Sequence, residues 1–303
     1  MAAHTKYCIV ICGPTATGKT ETAISLAQHF DTEILSADAR QFYREMHIGT
    51  AKPTQAQLQK VKHHFIDHIS IHNPWDAGTF AHEALSLLSN IFIKKDVAIL
   101  CGGSGLFIKA LTEGFDIIPD VSEEIRNKVK SMYLENGLPF LQRMLEEKDP
   151  EYYKTVDRQN PHRLMRALEV CLQTYKPYSY FRKQEPEERP FRSIYICLDI
   201  PREKLYGIID ARVDAMIADG LVEEARALLP FRKEIALQTV GYSELFEHFD
   251  GNCDLNTAIE KIKQHTRNYA KRQMTWFRSA GYRIFDPKDI SSILQYIEED
   301  MSH

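Results

Sequence analysis

Residues 13 to 20, GPTATGKT, have the residue types and the spacing of a phosphate-binding loop. Glycines at two positions let the backbone curl so that several N–H groups point at one anion. The lysine adds a full positive charge, and the last hydroxyl can ligate Mg²⁺. We therefore predict that this loop binds a di- or triphosphate, with Thr20 as a metal ligand. The loop residues are Gly13, Pro14, Thr15, Ala16, Thr17, Gly18, Lys19 and Thr20.

Two further polar residues lie where apolar runs end, and both could serve a transfer reaction. Asp38 closes the run 33–38, and Ser104 follows two glycines after the run 96–101. A carboxylate beside a phosphate loop can take a proton from an acceptor group, but Asp38 could equally be a helix N-cap or a ligand to Mg²⁺-bound water. The Ser104 hydroxyl could contact a phosphate, cap a helix, or do both. A motor ATPase usually has an acid directly after such a strand, to hold Mg²⁺. Two glycines follow the run 97–101 instead, so the pattern favours group transfer over a motor ATPase.

Positioning these residues requires a parallel sheet, and the hydrophobic pattern predicts one. Short apolar runs indicate strands at 7–12, 33–38, 63–69, 96–101, 193–199 and 282–285. Amphipathic segments between them are typical of an α/β fold, here a P-loop NTPase-like parallel sheet flanked by helices. Since ligands bind beyond the carboxyl ends of such strands, the loop, Asp38 and Ser104 are expected at one edge of the sheet.

The pattern changes at about residue 113 and is purely helical, with repeated prolines, up to about residue 190. It predicts a catalytic core of residues 1–115 and 191–303, interrupted by an all-helical insertion domain at 116–190. The stretch 160–166 opens a helix in this insertion, where Arg163 and Arg166 share a face. These two arginines could contact a nucleic acid, or they could pair with Asp157 or Glu169.

A second basic segment, 261–283, contains seven Lys or Arg residues and no acid. On an ideal helix Lys263, Arg267, Lys271 and Arg278 share one narrow arc. Ile262, Tyr269 and Trp276 share the opposite side and are expected to pack on the protein. The basic arc predicts a surface for a phosphate backbone, with a merely solvated helix as the alternative. Arg212, on an amphipathic helix, could form an ion pair or bind a ligand.

Composition sets the broad class of the protein. A net charge of −4 excludes bulk attraction to nucleic acid, and 44% hydrophobic residues are ordinary for a globular chain. Six scattered cysteines form no CxxC pair or zinc spacing, so we expect reduced thiols and a cytoplasmic location. No apolar run approaches the length that spans a membrane. The cluster His63, His64, Asp67 and His68 is more typical of packed or solvated side chains than of a metal site.

Eight collinear stretches together resemble the family of tRNA dimethylallyltransferases, which transfer an isopentenyl-type group to an adenosine beside the anticodon. They are GPTATGKT (13–20), SADARQFYREMHIGTAKP (36–53), HHFIDHI (63–69), GGSGLF (102–107), NPHRLMRALEV (160–170), RVDAMIADGLVEEA (212–225), QTVGYSE (238–244) and TRNYAKRQMTWFR (266–278). Because they span nearly the whole chain, the resemblance is far more specific than the phosphate loop alone.

The resemblance implies Mg²⁺-dependent transfer of a dimethylallyl group from dimethylallyl diphosphate to N6 of the adenosine 3′-adjacent to the anticodon. It implies that Asp38 is the general base, that Ser104 is catalytic at a position where the family usually has Thr, and that Arg212 contacts the diphosphate. It also implies contact with the tRNA anticodon stem-loop by Asp38, Ala39, Arg40, Gln41, Ser104, Arg126, His162, Arg163, Leu164, Met165, Arg166, Gln238, Thr239, Val240, Gly241, Tyr242 and Ser243.

Two other functions also fit parts of the sequence. A small-molecule kinase also combines a phosphate loop with an acid on the second strand. A nucleotide-gated RNA-binding module would use the basic segments without any catalysis. The acid beside the loop favours an enzyme, which we expect to be a monomer without a membrane partner.

Overall fold

The computed structural model describes residues 5–73, 75–116, 118–182 and 187–302. The chain forms two compact units. Met1–Glu113 and Glu188–His303 make up the first, and Gly114–Glu187 makes up the second. The second unit and the insertion predicted at 116–190 share residues 116–187, of which 117 and 183–186 lie outside the described residues.

The first unit is built on a six-stranded parallel sheet with strand order β3-β2-β4-β1-β5-β6. The strands are β1 (Tyr7–Cys12), β2 (Ile34–Ser36), β3 (His63–His64), β4 (Val97–Cys101), β5 (Arg192–Leu198) and β6 (Arg283–Phe285). The predicted α/β architecture is confirmed. The third strand is shorter than the predicted 63–69, because Phe65 and Asp67 adopt positive φ angles of 62° and 53° that end the extended conformation.

Helices flank this sheet and also build the second unit. Over the described residues the α-helices are α1 (Lys19–His29), α2 (Gln55–Lys60), α3 (Ala77–Ile91), α4 (Gly105–Thr112), α5 (Glu123–Lys148), α6 (Pro150–Thr155), α7 (Pro161–Thr174), α8 (Arg202–Ala218), α9 (Leu221–Leu228), α10 (Tyr242–Phe249), α11 (Leu255–Ser279) and α12 (Ile290–Met301). None of the described helices combines the length and the apolar character needed to cross a bilayer.

Alternation along the central strands places a hydrophobic core on each face of the sheet. Val10 and Leu100 face one core, which includes Phe80 of α3. Ile9 and Ile99 face the other core, against which α1 packs. Because β1 is buried along its whole length, it holds the start of the phosphate loop rigidly.

The second unit is helical and has its own core. Helix α5 is broken at Gly137, which has a φ of 72° two residues before Pro139. Leu145 of α5 packs with Leu164 of α7 in this core. Asp149 is fully buried and accepts hydrogen bonds from the backbone N–H of Tyr152 and from both the N–H and the hydroxyl of Ser179, so its charge is well compensated.

One carboxylate of the first unit anchors the loop that follows β2. Glu224 of α9 accepts hydrogen bonds from the backbone N–H groups of His47 (3.0 Å), Ile48 (2.9 Å) and Gly49 (3.1 Å). It also accepts one from the hydroxyl of the buried Tyr242, at 2.6 Å. A Cβ on Gly49 would lie 2.6 Å from the Tyr242 ring, so only glycine allows this close packing.

We expect Glu224→Ala to lower the free energy of unfolding by about 2–4 kcal/mol, because several hydrogen bonds to a charged acceptor are lost together. Urea unfolding measures this effect. Glu223→Ala, at the exposed neighbouring position, is the control and should change stability by less than about 0.5 kcal/mol. Equal stability of the two variants would show that Glu224 does not anchor the loop.

Candidate active site

A cavity of about 240 Å³ lies in the first unit, beyond the carboxyl ends of β1, β2 and β4. The phosphate loop contributes Thr15, Ala16 and Lys19, and the loop after β2 contributes Asp38. Other lining residues come from the loop 49–51, from α8, α9 and α11, and from the segment before α10. The cavity thus lies at the edge of the sheet where the sequence predicts a ligand site.

The phosphate loop connects β1 to α1 in the conformation that its glycines allow. Gly13 has a φ of 142°, and a Cβ at this position would lie 2.4 Å from the carbonyl oxygen of Leu198. Gly18 has a φ of 86°. The Thr17 hydroxyl donates to the carbonyl oxygen of Pro14 at 2.8 Å, which braces the loop from inside. The loop therefore presents its N–H groups together with the N-terminus of α1.

Two cationic side chains meet at this loop. The Lys19 amino group donates to the carbonyl oxygen of Pro14 at 2.6 Å, and the Arg212 guanidinium donates to the Thr15 hydroxyl at 3.2 Å. Burial lowers the pKa of both groups, and the charge of Asp38 opposes that shift. Arg212 forms no ion pair with any described residue. The ligand role that the sequence left open for Arg212 is therefore favoured.

Asp38 lies at the cavity with one carboxylate oxygen held in place. Its Oδ1 accepts the backbone N–H of Arg40 at 3.0 Å, in a turn that also joins the N–H of Gln41 to the Asp38 carbonyl oxygen. No helix begins at this turn, so Asp38 is not an N-cap. Its second oxygen is left for a proton, a substrate or metal-bound water.

Ser104 begins α4 without capping it through its side chain. Its hydroxyl instead accepts the backbone N–H of Ala39 at 3.0 Å, which joins the loop after β4 to the loop after β2. The Tyr269 hydroxyl also interacts with Ser104, and desolvation of this hydroxyl in the cavity, together with the charge of Asp38, raises the pKa of Tyr269 to about 12. Ser104, Asp38 and Tyr269 all line the same cavity.

Gln273 is a site residue that the sequence patterns did not reveal. From α11, its Oε1 accepts the backbone N–H of Thr15 at 2.9 Å, and its Nε2 donates to the carbonyl oxygen of Gly103 at 2.8 Å. The side chain is only 7% exposed. Gln273 therefore joins the phosphate loop to the Ser104 loop. The sequence feature that could have indicated Gln273 is its polar side chain at a position where the amphipathic pattern of the helix predicts a buried residue.

We expect Gln273→Met, which keeps the length of the side chain but removes both hydrogen bonds, to lower catalytic efficiency by about 10- to 100-fold. Misplacement of the Thr15 N–H should appear mainly as a higher KM for the phosphate-bearing substrate. Steady-state kinetics with varied donor concentration measure this change. Gln264→Met, at an exposed position of the same helix, is the control and should behave like the wild type. Unchanged kinetics in Gln273→Met would contradict the bridging role.

One wall of the cavity is apolar, and this wall was not predicted from the sequence either. Helices α8, α9 and α11 contribute branched or flexible side chains, and the segment before α10 adds one more. These residues are Ile209, Val213, Met216, Leu221, Val240 and Ile262. The cavity thus has a cationic end at the phosphate loop and a hydrophobic wall suited to a hydrocarbon group.

The predicted tRNA-contacting residues of the first unit fall into two groups: some line the cavity, and the others bond to the protein itself. Ala39, Arg40, Thr239, Val240 and Gly241 line the cavity. Gln41 instead donates to the carbonyl oxygens of Thr50 and Ala51, Gln238 donates to that of Lys233, and Ser243 donates to that of Thr239. Tyr242 is fully buried, so its side chain packs the core and does not reach a ligand.

The remaining predicted tRNA-contacting residues lie in the second unit. Arg126 is exposed on α5, and His162 and Arg163 are exposed at the start of α7. Arg166 pairs with Glu169 at 3.7 Å, the alternative that the sequence had left open. Leu164 is fully buried, and Met165 packs against the same core. The buried Leu164 side chain holds the helix to its own unit, so the structure gives no support to the predicted contact of Leu164 with tRNA.

Most of the basic arc on α11 is paired with acids, which favours the solvated helix that the sequence had left open as the alternative. Lys263 pairs with Asp214 at 2.8 Å, Arg267 with Asp210 at 2.5 Å and Arg278 with Asp199 at 3.0 Å. Of the four arc residues, Lys271 alone lacks an ion pair with a described residue. These acids lie on α8 and directly after β5. They are outside the segment 261–283, which itself contains no acid. On the opposite side Ile262 is buried, whereas Tyr269 and Trp276 are each 38% exposed.

Comparison with known proteins agrees with this geometry. The sequence profile of the family described as IPP transferase matches residues 41–280. The chain is 50% identical over 98% of its length to a tRNA dimethylallyltransferase of Christiangramia forsetii, of which it covers 99%. It is 47% identical to a tRNA dimethylallyltransferase of Cytophaga hutchinsonii, over 97% of each chain.

A solved structure shows the same similarity at the level of the fold. It is the tRNA isopentenylpyrophosphate transferase of Bacillus halodurans, with 32% identity, a TM-score of 0.73 and coverage of 98% of this chain and 97% of that one. The resemblance predicted from the sequence motifs is confirmed, and the chain belongs to the IPP transferase family.

Proposed function

We propose that this protein transfers a dimethylallyl group from dimethylallyl diphosphate to N6 of the adenosine 3′-adjacent to the anticodon of tRNA, and releases pyrophosphate. The tRNA dimethylallyltransferases to which the chain is 50% and 47% identical support this activity. We further propose that it acts as a monomer in the cytoplasm, where thiols such as its six free cysteines remain reduced.

One observation carries the proposal: a single cavity combines a cationic end, a carboxylate and an apolar wall. Lys19 and Arg212 suit the diphosphate, and the wall that includes Val213 and Met216 suits a branched five-carbon chain. Asp38 lines the same cavity, within reach of a nucleophile that attacks this chain. A nucleotide-dependent kinase would gain nothing from an apolar wall beside the acceptor.

The reaction breaks the C1–O bond of the donor and forms a bond between C1 and the adenine nitrogen. The electrons of the C–O bond leave with pyrophosphate, whose growing charge is stabilised by Lys19, Arg212 and the N–H groups of the phosphate loop. Positive charge develops on N6 because its lone pair forms the new bond to C1, and a base helps because the exocyclic amine is a weak nucleophile. Asp38 accepts the N6 proton, so no charge remains on the product base. Ser104 holds the Ala39 backbone and thereby the loop that carries Asp38.

The residues around Thr20 fit a magnesium ion. The Thr20 hydroxyl makes no hydrogen bond to any described residue, and Thr20 follows Lys19 at the start of α1, where a bound phosphate would lie. Oxygen ligands of this kind suit Mg²⁺, which retains several waters and shares the substrate's phosphate oxygens. When bound, the ion would neutralise charge on the leaving pyrophosphate. No cluster of three His, Cys, Asp or Glu side chains that could hold a metal occurs among the described residues.

The target adenine must leave its stack in the anticodon loop to reach Asp38. We propose that residues 38–40 and 239–241, which line the cavity, contact the extruded nucleotide. The exposed His162, Arg163 and Arg126 of the helical unit are proposed to contact the RNA backbone, where basic side chains supply affinity that falls with salt.

Two labelled donors distinguish this function from that of a kinase. The protein is incubated with bulk tRNA, Mg²⁺ and either dimethylallyl diphosphate labelled in its hydrocarbon or ATP labelled in its terminal phosphate. We expect the hydrocarbon label, and not the phosphate, to appear in acid-precipitable RNA. Transfer of labelled phosphate would support the kinase, and salt-sensitive tRNA binding without either label would support a binding module.

A further inference from the structure

A second, smaller cavity of about 40 Å³ lies beside the active site, in the first unit. Asp38 and Lys19 line both cavities. The smaller cavity is also lined by Thr20 and by His63 of β3. Asp38 thus borders both the proposed substrate cavity and this smaller cavity.

His63 places an unpaired nitrogen in this environment. Its Nδ1 lies 2.8 Å from the carbonyl oxygen of Val61, so Nδ1 carries the proton and Nε2 is a hydrogen-bond acceptor. Nε2 is buried and has no hydrogen-bond partner among the described residues. Burial lowers the pKa of His63, which agrees with a neutral ring. A buried acceptor without a partner is unfavourable, so a partner is expected.

The neighbouring side chains do not supply that partner. The Ser36 hydroxyl lies 3.3 Å from Oε1 of Gln41, and the amide of Gln41 donates to the carbonyl oxygens of Thr50 and Ala51. Hydrogen-bonding capacity therefore remains on His63 Nε2, on the Thr20 hydroxyl and on the second oxygen of Asp38.

The size and chemistry of the cavity select its occupant. A site of about 40 Å³ holds about two to four water molecules, each of which needs about 10–15 Å³, and is too small for a fully hydrated Mg²⁺ ion. An imidazole nitrogen is also a poor ligand for Mg²⁺, which prefers oxygen. Water can donate to one acceptor and still bind two others.

We propose that this cavity binds an ordered water that donates one hydrogen bond to Nε2 of His63 and the other to the carboxylate of Asp38. His63 is then a positioning residue, which acts through this water to keep the carboxylate directed at the substrate cavity. The water site depends only on the cavity, whereas its effect on turnover rests on the proposed role of Asp38 as the base.

Two substitutions distinguish the roles of the two ring nitrogens of His63. His63→Asn can keep a donor to the Val61 carbonyl oxygen but places no acceptor at the Nε2 position, whereas His63→Gln can restore an acceptor there and loses the donor to Val61. We expect kcat of His63→Asn to fall by about 10-fold or more, the usual effect of removing such an outer contact, with KM for the donor nearly unchanged. We expect His63→Gln to recover most of kcat.

The reverse ranking, a normal kcat in His63→Asn and a low one in His63→Gln, would show that only the bond to Val61 matters and would overturn the proposal. Equal losses in both variants would overturn it as well. Thermal unfolding of both variants identifies any general loss of structure.

A crystal structure of the wild-type protein tests the water without any assay of turnover. We expect an ordered water within hydrogen-bond distance of both His63 Nε2 and the Asp38 carboxylate. Absence of that water at a resolution where other buried waters are visible would refute the site, even if the protein modifies tRNA. Its presence in a protein that transfers no dimethylallyl group would refute the proposed function and leave the water site standing.

Discussion

Asp38→Asn should bind tRNA and the donor normally and yet lose turnover by about 10²–10⁴-fold, the range expected when a general base is removed. The amide has the shape of the carboxylate, and its oxygen can still accept the Arg40 N–H that now holds Oδ1. It cannot accept the proton that leaves N6. The expected result is therefore a loss in kcat with little change in KM.

Single-turnover measurement with saturating tRNA and donor isolates this chemical step. Asp120→Asn, at an exposed position with no hydrogen bond to a described residue, is the control and should turn over at the wild-type rate. A wild-type rate in Asp38→Asn would exclude Asp38 as the base. Loss of tRNA binding instead of turnover would assign Asp38 to recognition.

Lys19→Met should lower kcat by about 10²–10³-fold, because one charged donor to the leaving pyrophosphate is removed. In the structure the Lys19 amino group bonds the carbonyl oxygen of Pro14, which a phosphate oxygen can replace as its partner. Steady-state kinetics measure the change. Lys60→Met, at an exposed position, is the control, and equal rates in the two variants would show that the loop does not bind the leaving group.

Lys19 also predicts how donor affinity depends on pH. Burial lowers the pKa of its amino group in the free protein, so the group loses its proton at a lower pH than an exposed lysine. Only the protonated form attracts the diphosphate. We therefore expect KM for the donor to rise with pH on the alkaline side, and this rise should disappear in Lys19→Met. Persistence of the rise in that variant would assign it to another group.

Local patterns were sufficient to predict the central part of this site. The run 7–12 and the loop after it are contiguous, so strand, loop and helix could be recognised together. Asp38 and Ser104 each follow a strand, and parallel strands end at a common edge, so their proximity also followed from the pattern.

The residues that the patterns missed depend on contacts between distant parts of the chain. Gln273 lies 258 residues from Thr15, and no local pattern links the two. The ion pairs of the basic arc could not be predicted for the same reason, because Asp210 and Asp214 of α8 neutralise Arg267 and Lys263 of α11. A charge count within one segment does not include acids that the fold brings alongside.

Mass spectrometry of nucleosides from digested tRNA tests the central claim most directly. Unmodified tRNA is incubated with the protein, Mg²⁺ and dimethylallyl diphosphate, and the digest is compared with that from Asp38→Asn. The account predicts an adenosine heavier by one five-carbon unit, located 3′ to the anticodon, formed by the wild type and nearly absent with the variant. A tRNA that remains unmodified under conditions in which the protein is folded and binds both substrates would contradict it.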